Sequence, residues 1–421
     1  MTATNSTLSD ILKGAALDLA PYEDLYRYFH AHPELSLQEK ATSEKISSHL
    51  SQWNKYEIQT NIGGYGLVGV LKNGPGKTIL LRADMDALPV KEITGLPYSS
   101  TVTMRDADGL VKPVMHACGH DMHITCLLAA AEIMAKTTEC WTGTLIVLFQ
   151  PNEERGAGAQ AMVDDGLYEK IPTPDYCFGQ HVMRLRAGSI GLRPGIIMAA
   201  ADSMKVTVFG RGGHGSLPHQ TVDPALLAAH IVVRLQGIVS REIDPSDLGV
   251  VTVGSLQAGQ TENVISDRAE IGLDFRTVKL ATREKIIAAI KRIVEAECLA
   301  SGSPKPPVFT PTRQFPPTDN DVKATERLRE SFAAHFVDFD PDTPRSNVSE
   351  DFSTLGLCKG IPCGFWFLGG IDQELWDRVY GEDSKEEIAG NHSALFAPVI
   401  QPTMKSGVDA LCLAALTFLK K

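Results

Sequence analysis

The sequence predicts an α/β protein of two domains. One is a three-layer domain built on a mixed sheet, spanning residues 1–197 and 310–421, and the other is a ferredoxin-like β-α-β-β-α-β domain inserted at 198–309. Three observations carry this expectation. At 421 residues the chain is longer than the roughly 250–300 residues at which one core usually stops growing. Its outer parts alternate apolar runs with helical patterns, and the runs end in polar residues, as buried strands of an open α/β sheet do. Its middle part changes texture near residue 198 and gives strand, helix, strand, strand, helix, strand in that order.

The first elements are two amphipathic helical patterns in YEDLYRYFHAHPELSLQEKATSEKISSHLSQW, broken at His32-Pro33 because a residue before proline disfavours the helix. His30 and His32 at that break read as packing or surface residues. GLVGVLK and, after a Gly-Pro-Gly turn at 74–76, TILLRA read as strands, the second covered on both faces. Asp84 and Asp86 follow at its end, two apart and so on one side of the chain. MHACGHDMH at 115–123 then sets a thiol and three imidazoles ahead of an apolar helix. LIVLF is the next buried strand and leads to Asn152-Glu153-Glu154; DYCFGQHVM is another and is expected to end at His181.

In the middle part, ADSMKVTVFGRGG, LGVVTVGSLQAG, RAEIGLDFRTV and PPVFTPTRQF read as strands, with helices in TVDPALLAAHIVVRLQGIVSR and TREKIIAAIKRIVEAECLASG. The return begins in the Pro-rich stretch 304–317. A helix in ATERLRESFAAHF, a polar loop, a buried strand in IPCGFWFLGG, a loop carrying His392 and a closing helix in SGVDALCLAALTFLKK complete the chain.

Composition narrows the function. Hydrophobic and charged contents of 43% and 22% are those of a globular protein. A formal net charge of −11 without a basic cluster argues against a nucleic-acid partner. The absence of an apolar run of about 18 residues argues against a membrane span. Eight scattered cysteines form no disulfide framework, and the start has no basic segment followed by an apolar core, so a reducing, cytoplasmic location is expected.

Asp84, Asp86, Cys118, His120, Glu153, Glu154, His181 and His392 each follow a buried strand or open a helix. So many potential ligands at sites of one kind point to a metal centre. Its mixture of sulfur, nitrogen and oxygen donors suits Zn²⁺, Mn²⁺ or Co²⁺ better than Mg²⁺ or Ca²⁺. Adjacent carboxylates after a buried strand are costly unless positive charge compensates them.

The motifs RADMDALP (82–89), HACGHD (116–121), QPNEERGAGAQAMVDDG (150–166), GGHGSLPH (212–219), SEDF (349–352) and NHSALF (391–396), in this order and spacing, resemble a known family. It is the aminoacylase/carboxypeptidase family of co-catalytic metallopeptidases, within its branch of hippurate hydrolases and indole-acetyl-amino-acid amidohydrolases. The resemblance implies that Cys118, His120, Glu154, His181 and His392 are ligands of two divalent ions. It implies that Glu153 is the catalytic base and that Asp86 orients a ligand from behind.

The resemblance further implies that the inserted domain is a lid that also dimerises. His214 of this domain would reach toward the partner's active site, and Asn263 and Arg276 would contact the substrate, the arginine through a carboxylate. The implied reaction is hydrolysis of N-acyl amino acids to a carboxylic acid and a free amino acid. Carboxypeptidase and N-deacetylase activities of the same fold are the near alternatives. Against both stands the thiol at 118, where those branches usually carry Asp. A non-catalytic metal binder is the alternative of another class, and it has no need of Glu153. NHSALF departs from the branch in having Ala394 where proline is usual and in lacking the acidic pair that often follows.

Overall fold

The computed structural model describes residues 7–15, 17–381 and 387–421. The chain divides into two compact units. The first contains residues 1–197, 319–344 and 351–421, and the second contains residues 198–318 and 345–350.

The first unit is built on an eight-stranded mixed sheet. In spatial order its strands are Glu57–Ile62, Gly66–Asn73, Gly143–Gln150, Thr78–Asp84, Tyr176–Arg186, Cys363–Ile371, Ile190–Gly191 and Phe339–Asp340. The central strands Gly143–Gln150, Thr78–Asp84, Tyr176–Arg186 and Cys363–Ile371 run parallel, and Gly66–Asn73 joins antiparallel. After a half-buried Thr78, ILLRA is buried throughout, as a run with no polar alternation requires.

Two helices that are apolar nearly all round, His120–Lys136 and Thr403–Leu419, lie in the core on one face of this sheet. Ala20–Ala31 and Lys40–Ser51 pack outside them, separated at the expected break. The short helices Gly158–Asp164 and Ser353–Leu357 cover the other face and complete three layers. One detail differs from expectation: the strand carrying His181 does not end there but continues to Arg186, because its ladder with Cys363–Ile371 continues.

The second unit has the expected order and a four-stranded antiparallel sheet: Gly249–Ala258, Arg268–Thr277, Ala200–Phe209, Val308–Phe315. Helices Pro224–Arg241 and Leu280–Ala300 bury Leu227, Ile231, Leu235, Ile286, Ile290 and Val294 against Val206, Val208, Ile271 and Phe275. A boundary at 309/310 would cut the strand Val308–Phe315 away from its ladder with Ala200–Phe209, so this unit extends to residue 318. It also takes back residues 345–350, where the Ser346 and Val348 carbonyls each accept the Ala199 N–H at 3.2 Å.

Candidate active site

Four of the expected ligands gather in the first unit. Cys118 Sγ is 3.4 Å from His181 Nε2, and His120 Nε2 is 3.9 Å from Glu154 Oε1. Cys118, His120 and Glu154 have donor atoms within 4.8 Å of one another, as do Asp84, His120, His123 and His181. His392 joins through Glu154, Nε2 to Oε2 at 3.4 Å, and is the outermost member, its side chain 56% exposed.

Local backbone explains the convergence. Gly119 has φ +82° and separates Cys118 from His120; a Cβ there would meet Val182 Cγ1 at 2.3 Å. Only glycine combines that conformation with that clearance. The helix then begins at His120, whose Nδ1 donates to the Asp86 carbonyl at 2.8 Å, which turns Nε2 toward Glu154. His392 has φ 69° and is held by its N–H to the Ala117 carbonyl at 2.7 Å. Strained conformations of this kind concentrate at functional sites.

Asp86, expected to orient a ligand, hydrogen-bonds to the turn that carries Glu153 and Glu154. Its Oδ1 accepts the Glu153 N–H at 3.0 Å, and its Oδ2 accepts the Glu154 N–H at 3.1 Å and the Ser36 hydroxyl at 2.6 Å. One buried carboxylate thus fixes the turn that presents both glutamates. Buried Glu39 supports the same turn by accepting the Asn152 N–H at 2.8 Å. Burial, with Asp86 nearby, raises the Glu39 pKa to about 7.

Asp84 serves differently from the other candidates. Its Oδ2 takes Arg82 Nη1 at 2.7 Å, and its Oδ1 takes His123 Nδ1 at 2.6 Å. His123 Nε2 accepts the Val182 N–H at 2.8 Å, so that ring is spent between a carboxylate and a peptide and is not available as a ligand. Sequence reasoning did not assign His123; its place three residues after His120 on one helix face was the available signal. Arg82 also reaches Gln150 at 2.9 Å and Asp351 at 3.4 Å, beneath the centre.

The electrostatics ask for a cation. Burial and the carboxylates of Glu154, Glu153 and Asp84 push the Cys118 thiol well above its ordinary pKa, so a thiolate here needs a metal beside it. Burial, reinforced by His123, holds His181 well below the usual histidine value, leaving a neutral ring. His181 Nδ1 donates to the Val182 carbonyl at 2.8 Å, which leaves Nε2 as the donor atom. For His120, burial opposes charge, but Asp84, Asp86 and Glu154 prevail and raise its pKa to about 10. His120 Nε2 and Glu154 Oε1 are buried without a hydrogen-bond partner. Such atoms are costly unless something else satisfies them, and a divalent ion does. The residues present therefore fit a metal centre.

The second unit holds the remaining expected residues. His214 pairs with Val264 in a two-stranded ribbon, and the Gly215 N–H donates to the Asn263 carbonyl at 2.8 Å, so His214 and Asn263 are neighbours. Both are exposed. His214 Nδ1 accepts the Ser216 N–H at 3.1 Å, which leaves Nε2 as the ring's N–H donor. Arg276 is half-buried, with Nε on Asp274 at 2.9 Å and Nη1 on Ser349 at 2.8 Å; among the described residues its Nη2 has no hydrogen-bond partner.

Comparison with known proteins agrees with this geometry. Residues 80–389 match Peptidase family M20/M25/M40. A hippurate hydrolase of Campylobacter jejuni is 39% identical over 84% of this chain and 89% of its own. Thermostable carboxypeptidase 2 of Saccharolobus solfataricus is 32% identical over 98% and 100%. The crystal structure of the Bacillus subtilis YxeP protein, described as a dinuclear metal-binding peptidase from the M20 family, superposes with a TM-score of 0.73. It is 27% identical, covering 94% of this chain and 98% of that one. Matched across most of its length, this chain belongs to peptidase family M20/M25/M40.

Proposed function

We propose that this enzyme is a metal-dependent amidohydrolase that cleaves N-acyl amino acids, of the acetyl, aroyl or indole-acetyl kind, to a carboxylic acid and a free amino acid. The observation that carries the proposal is the convergence of Cys118, His120, Glu154 and His181, two of whose buried donor atoms have no hydrogen-bond partner, with Glu153 on the same turn as Glu154. The similarity to a hippurate hydrolase supports the substrate class.

Cys118, His120, Glu154, His181 and His392 would hold two divalent ions, Zn²⁺, Mn²⁺ or Co²⁺. When bound, such ions polarise an amide carbonyl and lower the pKa of a water. Glu153 takes the proton of the attacking water and returns it to the leaving amine; held by Asp86 through its backbone, it serves as a base rather than a ligand. His214 donates from Nε2 to the oxyanion, and that tautomer supports this role. Arg276 receives the free α-carboxylate of the substrate on its remaining edge, and Asn263 contacts the substrate beside His214.

The second unit acts as a lid and pairs with a second copy to form a homodimer. The uncovered edge strand Gly249–Ala258, with Val250 and Leu256 exposed, supports that pairing. Among the described residues no helix is long and apolar enough to cross a membrane, and the eight cysteines are free, which supports a reducing, cytoplasmic setting. The similarity to a carboxypeptidase favours peptide substrates as the second reading. Assaying metal-reconstituted protein on N-acetyl, N-benzoyl and indole-acetyl amino acids beside blocked dipeptides separates the two. Turnover of the dipeptides alone would reject the first reading.

A further inference from the structure

Asn391 has no part in the mechanism above, yet it touches the centre at three points. Its Nδ2 lies 3.0 Å from the Val182 carbonyl oxygen, 3.3 Å from the Cys118 carbonyl oxygen and 3.8 Å from Cys118 Sγ. The next residue is His392, whose N–H is fixed on Ala117. One amide therefore joins the loop that carries Cys118, the strand that carries His181 and the loop that carries His392.

The Val182 peptide is the common anchor. Its N–H is taken by His123 Nε2 at 2.8 Å, and its carbonyl receives His181 Nδ1 at 2.8 Å and the Asn391 amide. A shift of this peptide would move the His181 ring, and Cys118 would follow through Asn391. An amide has two N–H donors, so Nδ2 can serve the carbonyls with one and the sulfur with the other. Among the described residues, Asn391 and His181 are the side chains hydrogen-bonded to that sulfur.

We propose that Asn391 is a positioning residue for the thiolate end of the metal centre: its amide donates to the Cys118 sulfur and locks the Cys118 loop to the His181 strand. Outer partners of this kind fix ligand orientation and tune how strongly a ligand donates. The proposal rests on the reading that Cys118 is a metal ligand. It goes beyond that reading by assigning a role to a residue that binds neither metal nor substrate.

The test is optical and needs no turnover. Co²⁺ bound through a thiolate gives a near-ultraviolet charge-transfer band, and titration of the same signal gives the Co²⁺ affinity. The wild-type protein should show the band and Cys118→Ala should lose it. Asn391→Ala should keep the band but shift it to longer wavelength, as expected when a hydrogen bond to the thiolate is removed, with Co²⁺ affinity weakened about 10- to 100-fold.

Asn391→Asp puts an oxygen against two carbonyls and a sulfur and should weaken binding further. Asn391→Gln keeps the donor and should restore much of the wild-type band position, which separates loss of the hydrogen bond from damage to the fold. Unchanged band position and affinity in both the Ala and Asp variants would overturn the proposal. A wild-type protein that binds Co²⁺ without the band would instead remove Cys118 as a ligand, and this proposal with it.

Discussion

The two units present their candidate residues in opposite ways. In the first, Cys118, His120 and His181 are buried, and the turn bearing Glu153 and Glu154 is fixed by hydrogen bonds to Asp86. In the second, His214 and Asn263 stand exposed on a short ribbon, and only Arg276 is half-buried. The difference teaches that the fold of one unit by itself brings together donors able to hold a metal. The groups of the other are held in tautomer and orientation but have their partners still to meet. Changes in the second unit should therefore alter turnover and spare the metal, whereas changes beneath the centre should weaken metal binding and turnover together.

The largest effect expected in the second unit is that of His214→Ala, which should lower kcat by about 10²- to 10³-fold as loss of an oxyanion donor does, with metal content unchanged. Mixed with Glu153→Ala chains, it also tests whether His214 serves the other subunit. Random pairing in a two-fold dimer would then restore about a quarter of the sites. No recovery after verified subunit exchange would mean that each chain uses its own His214, or that His214 does not act.

Next in size is the reading of the substrate carboxylate. An N-acyl amino acid should be hydrolysed about 10- to 100-fold faster than its amide analogue, the worth of a charge-assisted hydrogen bond. Arg276→Ala should abolish that preference. Equal rates on acid and amide with the wild-type enzyme would remove Arg276 from the site.

Beneath the centre, Gly119→Ala should cost about 1–3 kcal/mol of stability, visible in the urea midpoint, since alanine is strained at positive φ and its methyl would meet Val182. It should also weaken metal binding, because the Cys118–His120 geometry depends on that turn. A variant with wild-type midpoint and metal content would contradict the account of the loop. The smallest signal is alkylation at Cys118, which metal should slow further. Burial and neighbouring carboxylates raise this thiol's pKa, so its alkylation is slow even without metal.

Much of this arrangement was legible in local sequence. Period and order are local properties, so the buried strands and the β-α-β-β-α-β order of the second unit could be read directly. Cys118, His120 and Glu154 could be read as candidate ligands because they lie just before a helix, at its start, or just after a buried strand. What escaped depends on contacts between distant segments. His123 is occupied by Asp84 and Val182, and Arg82 reaches Asp351 across 269 positions of sequence. Residues 345–350 return to the second unit through Ala199. Asn391 looked like no more than the residue before a histidine because its partners, Cys118 and Val182, lie more than 200 positions away.

The central claim is that Glu153 and Glu154, adjacent on one turn, divide base and ligand between them. Metal analysis of Glu153→Ala and Glu154→Ala, purified without chelator and reconstituted with Mn²⁺ or Zn²⁺, tests it most directly. The account predicts that Glu153→Ala retains its metal and loses about 10²- to 10⁴-fold in turnover, the contribution of a general base. Glu154→Ala should lose both metal and turnover. Metal retained by Glu154→Ala and lost by Glu153→Ala would contradict the account.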